Sequence, residues 1–289
     1  MTPLDYVPGS SIIPETAFGI SPSQLYHFFD KPHEWYRSEI LGEKQFEGNT
    51  SSYLGTIVHF IANEYARTQS VRKYYIYQYL FENLVPEQVQ KTISFQFNDN
   101  LDIEEIEDFL KDHTDPEFVD VQYIFENYRP MGNALIQFLR SSGIPQETEV
   151  LIAHEVLENY YPCGSTDAIK QKRKVVDYKT TSDLTPKKVI PYNYKLQLLT
   201  YAWILKQKGY PIDTISIVWI THNQVNRVSE TTGKRMQDYP TTVSEVSEII
   251  GQKDFEFIES ILKLVAESVQ ATKDYPHLTH IIWKDYRLK

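Results

Sequence analysis

The stretch GSTDAIKQKRKVVDYKT, residues 164–180, decides how the chain is read. Its two ends are rich in apolar and β-branched residues, and its middle, Lys170 to Arg173, is polar and charged. That pattern predicts two strands, Thr166–Ile169 and Lys174–Thr180, joined by a hairpin connection. Strands joined so briefly pair antiparallel, which sets Asp167 opposite the region of Asp177. Asp177 and Lys179 lie two apart and therefore point to one side of their strand. An aspartate inside a Val-Val-Asp-Tyr strand needs a partner if buried, because desolvating an unpaired carboxylate is costly. Two carboxylates converging at a strand pair make a hard oxygen site suited to magnesium or manganese. A lysine beside them can orient or deprotonate a water, or neutralise a phosphate. Taken alone, Asp-x-Lys is a common tripeptide and reads more readily as a surface hairpin with scattered charges.

Downstream, Tyr192–Lys208 predicts a helix stopped by Gly209, and Thr214–Ile220, apolar at nearly every position, a central strand. A long amphipathic helix is expected from about Asp254 to Lys273. Upstream, Glu149–Leu157 reads as a strand and Tyr161–Gly164 as a turn. Ser21, Pro22 and Gln24 form a helix-start signal, followed by a short helix broken near Pro32 and another through Trp35 and Leu41. Ser51 or Ser52 opens a helix with Leu54, Ile57, Val58, Ile61, Ala62 and Tyr65 at helical spacing. Residues 71–142 read as mostly helical, with breaks near Pro86, Pro116 and Pro130. The expected class is α/β, a small mixed β-sheet flanked by helices with a helical insertion. One domain spans 1–289, with a helical lobe at 70–145, the sheet and its helix at 147–220, and a C-terminal helix and tail at 243–289.

The composition, 41% hydrophobic and 24% charged over 289 residues, excludes disordered and fibrous classes. No apolar run approaches the roughly 18 residues of a membrane span. MTPLDYVPGSSIIPETAF has neither a basic n-region nor an apolar h-region, so an intracellular protein is expected. The single cysteine, Cys163, excludes an intrachain disulfide framework, a cysteine-cage zinc site and a four-cysteine iron–sulfur cluster. The absence of a GxxxxGK[ST] loop argues against an intrinsic helicase motor. A net charge of −10 argues against a polyanionic partner, but the charge is unevenly spread. Residues 101–126 hold ten acidic residues against Lys111, and residues 165–195 hold eight basic ones against Asp167, Asp177 and Asp183. A local basic stripe lets an acidic protein bind nucleic acid, whereas either run alone is more simply a solvated face.

Gly164–Asp167 followed ten residues later by Asp177-Tyr178-Lys179-Thr180 resembles the motifs of the PD-(D/E)xK nuclease superfamily, and within it the RecB-like exonuclease branch. Gly55-x-x-x-His59 is similar to that branch's N-terminal helix motif, Gln197-x-x-x-Tyr201 to its motif on the helix after the catalytic strands, and Ser21-Pro22-Ser23 to its usual opening. The resemblance covers about residues 20–220 and implies a restriction-endonuclease-like core. It implies that Asp167 and Asp177 bind a divalent metal, magnesium or manganese, with the backbone carbonyl of Tyr178, and that Lys179 positions the attacking water and the phosphate. His59 would be a further metal ligand, and Gln197 and Tyr201 would line the DNA-facing side. Glu155, twelve residues before Asp167, stands where many relatives carry a supporting acid; it reads equally well as an ordinary strand glutamate. By themselves, His59 on an apolar helix reads as a core residue, and Gln197 as a buried amide that needs partners. Gly55 shares a helix face with His59 and would let that face approach closely. Where relatives often carry an acid after the motif histidine, this chain has Phe60 and Asn63, with Glu64 one step off that face. The other histidines, His27, His33, His113, His154, His222, His277 and His280, show no metal-ligand pairing.

The expected activity is metal-dependent hydrolysis of DNA by a stand-alone, cluster-free exonuclease serving recombination, repair or replication. Its substrate would be single-stranded DNA or DNA with a free end, in the cytoplasm of a bacterium or phage-infected cell, with a helicase or recombination partner left open. The alternatives are a sequence-specific endonuclease on the same fold and a non-catalytic DNA-binding protein. Retention of both acids and the lysine disfavours the last.

Overall fold

The computed structural model describes residues 12–43, 48–184, 187–229, 231–279 and 283. Most of the N-terminal stretch read for a leader, and the end of the expected tail, lie outside the described residues. Among the described residues six strands form one mixed sheet: β1 (Phe18–Ile20), β2 (Glu147–Ala153), β3 (Tyr160–Lys170), β4 (Lys174–Thr181), β5 (Thr214–Thr221) and β6 (Val243–Ile249). The order is β1-β3-β4-β5-β6, with β2 also on β3. β4 and β5 run parallel, β1 runs parallel to β3, and the other pairings are antiparallel. Apolar β5 is central and buried along nearly its whole length, as its composition predicts.

Nine helices surround the sheet among the described residues: α1 (Leu25–Asp30), α2 (Pro32–Trp35), α3 (Thr50–Thr68), α4 (Tyr74–Leu84), α5 (Glu87–Gln90), α6 (Ile103–His113), α7 (Val121–Ser142), α8 (Tyr192–Gln207) and α9 (Gln252–Asp274). Side-chain alternation along the strands divides the core in two. Ala168, Val176, Tyr178, Val218 and Ile220 pack with α3, α4, α6 and α7 on one face. Ile169, Val175, Ile215, Ile217 and Trp219 pack with α1, α8 and α9 on the other. Helices α3 and α7 come close at Gly132, where a Cβ would lie 2.8 Å from the Ile61 Cδ1 atom. Among the described residues no helix is long and apolar enough to cross a membrane.

Several local expectations are corrected. Strand β1 has only three residues and is held by pairing with Tyr160–Pro162 rather than by a pattern of its own. Strand β6, Val-Ser-Glu-Val-Ser-Glu-Ile, is a half-exposed edge strand whose composition reads as polar loop. Pro130 does not break α7; packing of Ile124, Met131 and Leu135 on either side offsets the missing backbone donor. Helix α3 is capped by Asn49, not by Ser51 or Ser52. Asn49 Oδ1 accepts the Ser52 N–H at 3.0 Å, and Ser52 Oγ accepts the Asn49 N–H at 2.8 Å. Ser21 does not cap; its hydroxyl bonds to Ser23 Oγ before a 3₁₀ turn at Pro22–Gln24. Tyr161–Gly164 lies inside β3, and the turn falls at Glu158-Asn159, with Asn159 left-handed at φ 65°.

The charged runs are partly spent on structure. Asp102 and Asp120 cap α6 and α7, and Glu107 pairs with Arg129. In the basic stripe, Arg173 pairs with Asp213, Lys174 with Glu245, Lys187 with Asp183 and Lys195 with Glu248.

Candidate active site

Strands β3 and β4 are paired only through Ala168–Lys170 and Lys174–Val176. On the same edge of β3, β1 occupies Tyr160–Pro162, so the strands part between these points, at Asp167 and Asp177. The Asp167 side chain takes over where the ladder ends: its Oδ2 accepts the Tyr178 N–H at 2.7 Å. Helix α3 brings His59 to the opening, with Nδ1 3.3 Å from Asp167 Oδ1. From the other side β2 brings Glu149, which falls opposite Asp167 between the registered pairs Thr148–Ala168 and Val150–Thr166. Glu149 is left-handed at φ 50°, a conformation that costs a residue with a Cβ about 1 kcal/mol or more. Ligand atoms of His59, Glu149 and Asp167 all lie within 4.8 Å of one another.

Asp177 is 2% exposed. Lys179 Nζ donates to its Oδ1 at 2.9 Å and lies 2.8 Å from Oδ2 but off the line of a hydrogen bond, so among the described residues Oδ2 has an ion-pair partner without an aligned donor. Gln197 Nε2 donates to Asp177 Oδ1 at 3.3 Å and to the Tyr201 hydroxyl at 3.4 Å. The Tyr194 ring, 5.1 Å from Lys179 Nζ, steadies the ammonium from the α8 side. Gly164 makes room for Tyr201: a Cβ there would lie 3.2 Å from Tyr201 Cε1. Gly55 has no such duty, since an added Cβ would meet only Thr180 Oγ1 at 3.7 Å; the close approach expected of it is not required.

Asp167, Asp177, Lys179, His59, Tyr178, Gln197 and Tyr201 therefore converge. Tyr178 does so through its N–H. Gln197 and Tyr201 are buried, and the hydrogen bonds seen run to Asp177 and to each other. Glu155 stays outside: it is exposed after β2, and its carboxylate accepts the Asn159 N–H at 2.9 Å. Glu149, which sequence reasoning missed, is the acid brought to the cluster. Placing the turn at Glu158-Asn159, where an asparagine tolerates the left-handed region, closes Leu157 on Tyr160 and by simple counting sets Val150 opposite Asp167; a one-residue offset between that bridge and the β2–β3 register puts Glu149 there instead.

Burial lowers the affinity of the His59 imidazole for a proton, but the Asp167 carboxylate outweighs this and raises its pKa to about 9. Asp167 is held low by His59 and Lys179 against the cost of its burial. Desolvation, then Asp167, pushes Glu149 up to about 7, although the residue as a whole is exposed. Desolvation likewise pushes Asp177 up to about 6 against the pull of Lys179. An oxygen-rich set with one imidazole fits magnesium or manganese. Because a ligand must shed its proton to bind metal, affinity for manganese is expected to climb as pH rises through the values of Glu149 and His59, about 7 and about 9. The metal-free fold follows the opposite trend at His59: the stability from its raised pKa is complete below the unfolded value near 6.5 and fades through about 9. Calorimetric titration with manganese across that range checks this, and a pH-independent affinity would contradict it.

A mixed sheet whose parted strands carry two aspartates and a lysine, covered by a histidine-bearing helix, is a nuclease core. The sequence matches the PD-(D/E)XK nuclease superfamily over residues 19–277, and the chain belongs to it. Among solved structures it resembles a Eubacterium rectale protein named as an exonuclease, with a TM-score of 0.51 and 13% identity over 95% of this chain and 86% of that one. More distant are LHK-Exo of Laribacter hongkongensis in complex with dAMP (TM-score 0.33, 12% identity, 78% and 95% covered) and a phage-related exonuclease from Haemophilus somnus 129PT (0.32, 10%, 87% and 96%). No curated protein matches the sequence.

Proposed function

We propose that the chain is a divalent-metal-dependent deoxyribonuclease that degrades DNA from an end, in recombination, repair or replication. The observation that carries this reading is the convergence of Asp167, Asp177 and Lys179 with His59 and Glu149 at one opening between strands. His59, Glu149 and Asp167, with Asp177 adjoining, would hold the cation. Bound there, magnesium or manganese supplies an acidified water and positive charge for the phosphoryl oxygens. Asp177 holds the Lys179 ammonium at the opening, where it can donate to the phosphate and to the attacking water. Gln197 fixes the Asp177 carboxylate and is itself positioned by Tyr201. End preference rests on the likeness of the motif set to RecB-like exonucleases, with the helices between α3 and β2 as a lobe beside the site.

The decisive assay is digestion of end-labelled linear DNA and covalently closed circles, each with magnesium, manganese or chelator. Linear single-stranded or frayed DNA is expected to be degraded with either metal and spared with chelator, while circles survive; activity should fall as salt rises, as phosphate contacts require. Efficient cutting of circles at one sequence would replace this reading with an endonuclease.

A further inference from the structure

At the far end of the β3–β4 hairpin lies a cavity of about 350 Å³. Its lining includes Ser142, Gln146, Lys170, Gln171, Arg173 and Lys174. Two of the three cations are matched: Arg173 by Asp213, which also lines the cavity, and Lys174 by Glu245 at 3.0 Å. Lys170 is not. It is 8% exposed, and among the described residues its ammonium makes one hydrogen bond, to Ser142 Oγ at 3.1 Å, and no ion pair. The Phe138 ring lies 5.6 Å away and offers only its π-face. An ammonium has three donors, so most of its hydrogen-bonding capacity is unused at a site where burial makes an uncompensated charge expensive. Desolvation and the nearby Lys174 hold its pKa below the usual lysine range, against a partial pull from Glu245.

The backbone at the rim is fixed at some cost. Gln171 and Lys172 are both left-handed, at φ 54° and 55°, in the three-residue connection between the paired Lys170 and Lys174, a conformation that favours glycine or asparagine. The Gln171 N–H is held by Gln146 Oε1 at 2.5 Å. This is not the metal centre. Lys170 lies three residues beyond Asp167, about 10 Å along the strand, and alternation puts their side chains on opposite faces of the sheet.

We propose that this cavity binds a phosphate-bearing anion of mononucleotide size, with Lys170 as its charge partner. A volume of 350 Å³ stands at the small end of ligand pockets. That a nucleotide carries the phosphate rests on the nuclease reading; that phosphate binds does not. The carrier is either a free mononucleotide or a phosphate of a DNA strand, and the two are separable.

The test is calorimetric titration of the full chain with dAMP, inorganic phosphate and a short single-stranded oligonucleotide, in chelator so that no metal recruits phosphate. Wild type should bind dAMP. Lys170→Met should weaken binding about ten- to a hundredfold, the scale of one hydrogen bond to a charged group. Should Lys170→Met fail to fold, Ser142→Asp, which sets a carboxylate beside the ammonium, decides by the same loss of affinity. Lys170-dependent binding of the oligonucleotide but not of dAMP supports the site with a strand phosphate as its ligand. Absence of binding to wild type at about 10 mM of every probe, or equal binding by wild type and both variants, overturns the proposal. None of these readings uses cleavage, so an inactive chain that binds dAMP through Lys170 would reject the nuclease reading alone.

Discussion

Asp177→Asn should lower DNA cleavage roughly a thousandfold or more, the scale on which loss of a preorganised charge-stabilising group acts. Asparagine matches the aspartate in volume, and its carbonyl oxygen can still accept from Lys179 and Gln197, so the packing around this buried position is kept. What is lost is the negative charge that attracts the cation and holds the ammonium at the opening. Asp167→Asn should be as inactive but less benign to the fold. It weakens the acceptor for the Tyr178 N–H and removes the carboxylate that keeps His59 protonated without metal. Cleavage of an end-labelled strand, read beside thermal unfolding, separates the two effects. Near-wild-type cleavage by a folded Asp177→Asn variant would remove this residue from the site.

Lys179→Ala is expected to cost about a hundred- to a thousandfold in rate while leaving manganese affinity unchanged or somewhat higher. Its ammonium lies 2.9 Å from Asp177 Oδ1 and is repelled by any cation bound beside it. Removing it relieves that repulsion but strips Asp177 of its ion-pair partner, so a carboxyl already near 6 should move higher. The acidic limb of the pH–rate profile should shift upward with it. Arginine is not expected to rescue, because a planar guanidinium fork cannot occupy the place of a compact ammonium flanked by Asp177 and the Tyr194 ring. A Lys179→Ala enzyme retaining a large share of the wild-type rate would show that the lysine only neutralises a buried aspartate. A collapse of metal affinity would show that it holds the site together.

Asp167, Asp177 and Lys179 were legible because strand alternation and a short hairpin fix their relative positions without knowledge of the rest of the fold. His59 and Gln197 were legible by motif, but their surroundings were not. That Gln197 faces Asp177 from within an apolar helix depends on how α8 is rotated against the sheet, and the pattern of an almost wholly buried helix leaves that rotation undetermined. Glu149 was missed for a sharper reason. A turn misplaced by a few residues changes which residue faces Asp167, Tyr161-Pro162-Cys163-Gly164 looks more like a turn than Glu158-Asn159 does, and even the right turn leaves a one-residue offset that decides between Val150 and Glu149. The edge strands failed differently: β1 and β6 owe their form to the strand beside them, so their own residues carry little periodic signal. Pro130 shows tertiary packing overriding a local breaker.

Ile76, Leu80, Ile106 and Ile124 share one buried cluster with Ala168, Val176 and Tyr178. The helices between α3 and β2 are thus bound to the inner face of the sheet by the same apolar contacts that seat the strand carrying Asp177. A protease that nicked the acidic segment would leave two pieces clasped together, not a liberated lobe. Amide exchange at Tyr178, whose N–H is held by Asp167, is tied to the opening of helices that contribute no ligand, so the precision of the parted strands is lent to them from across the core.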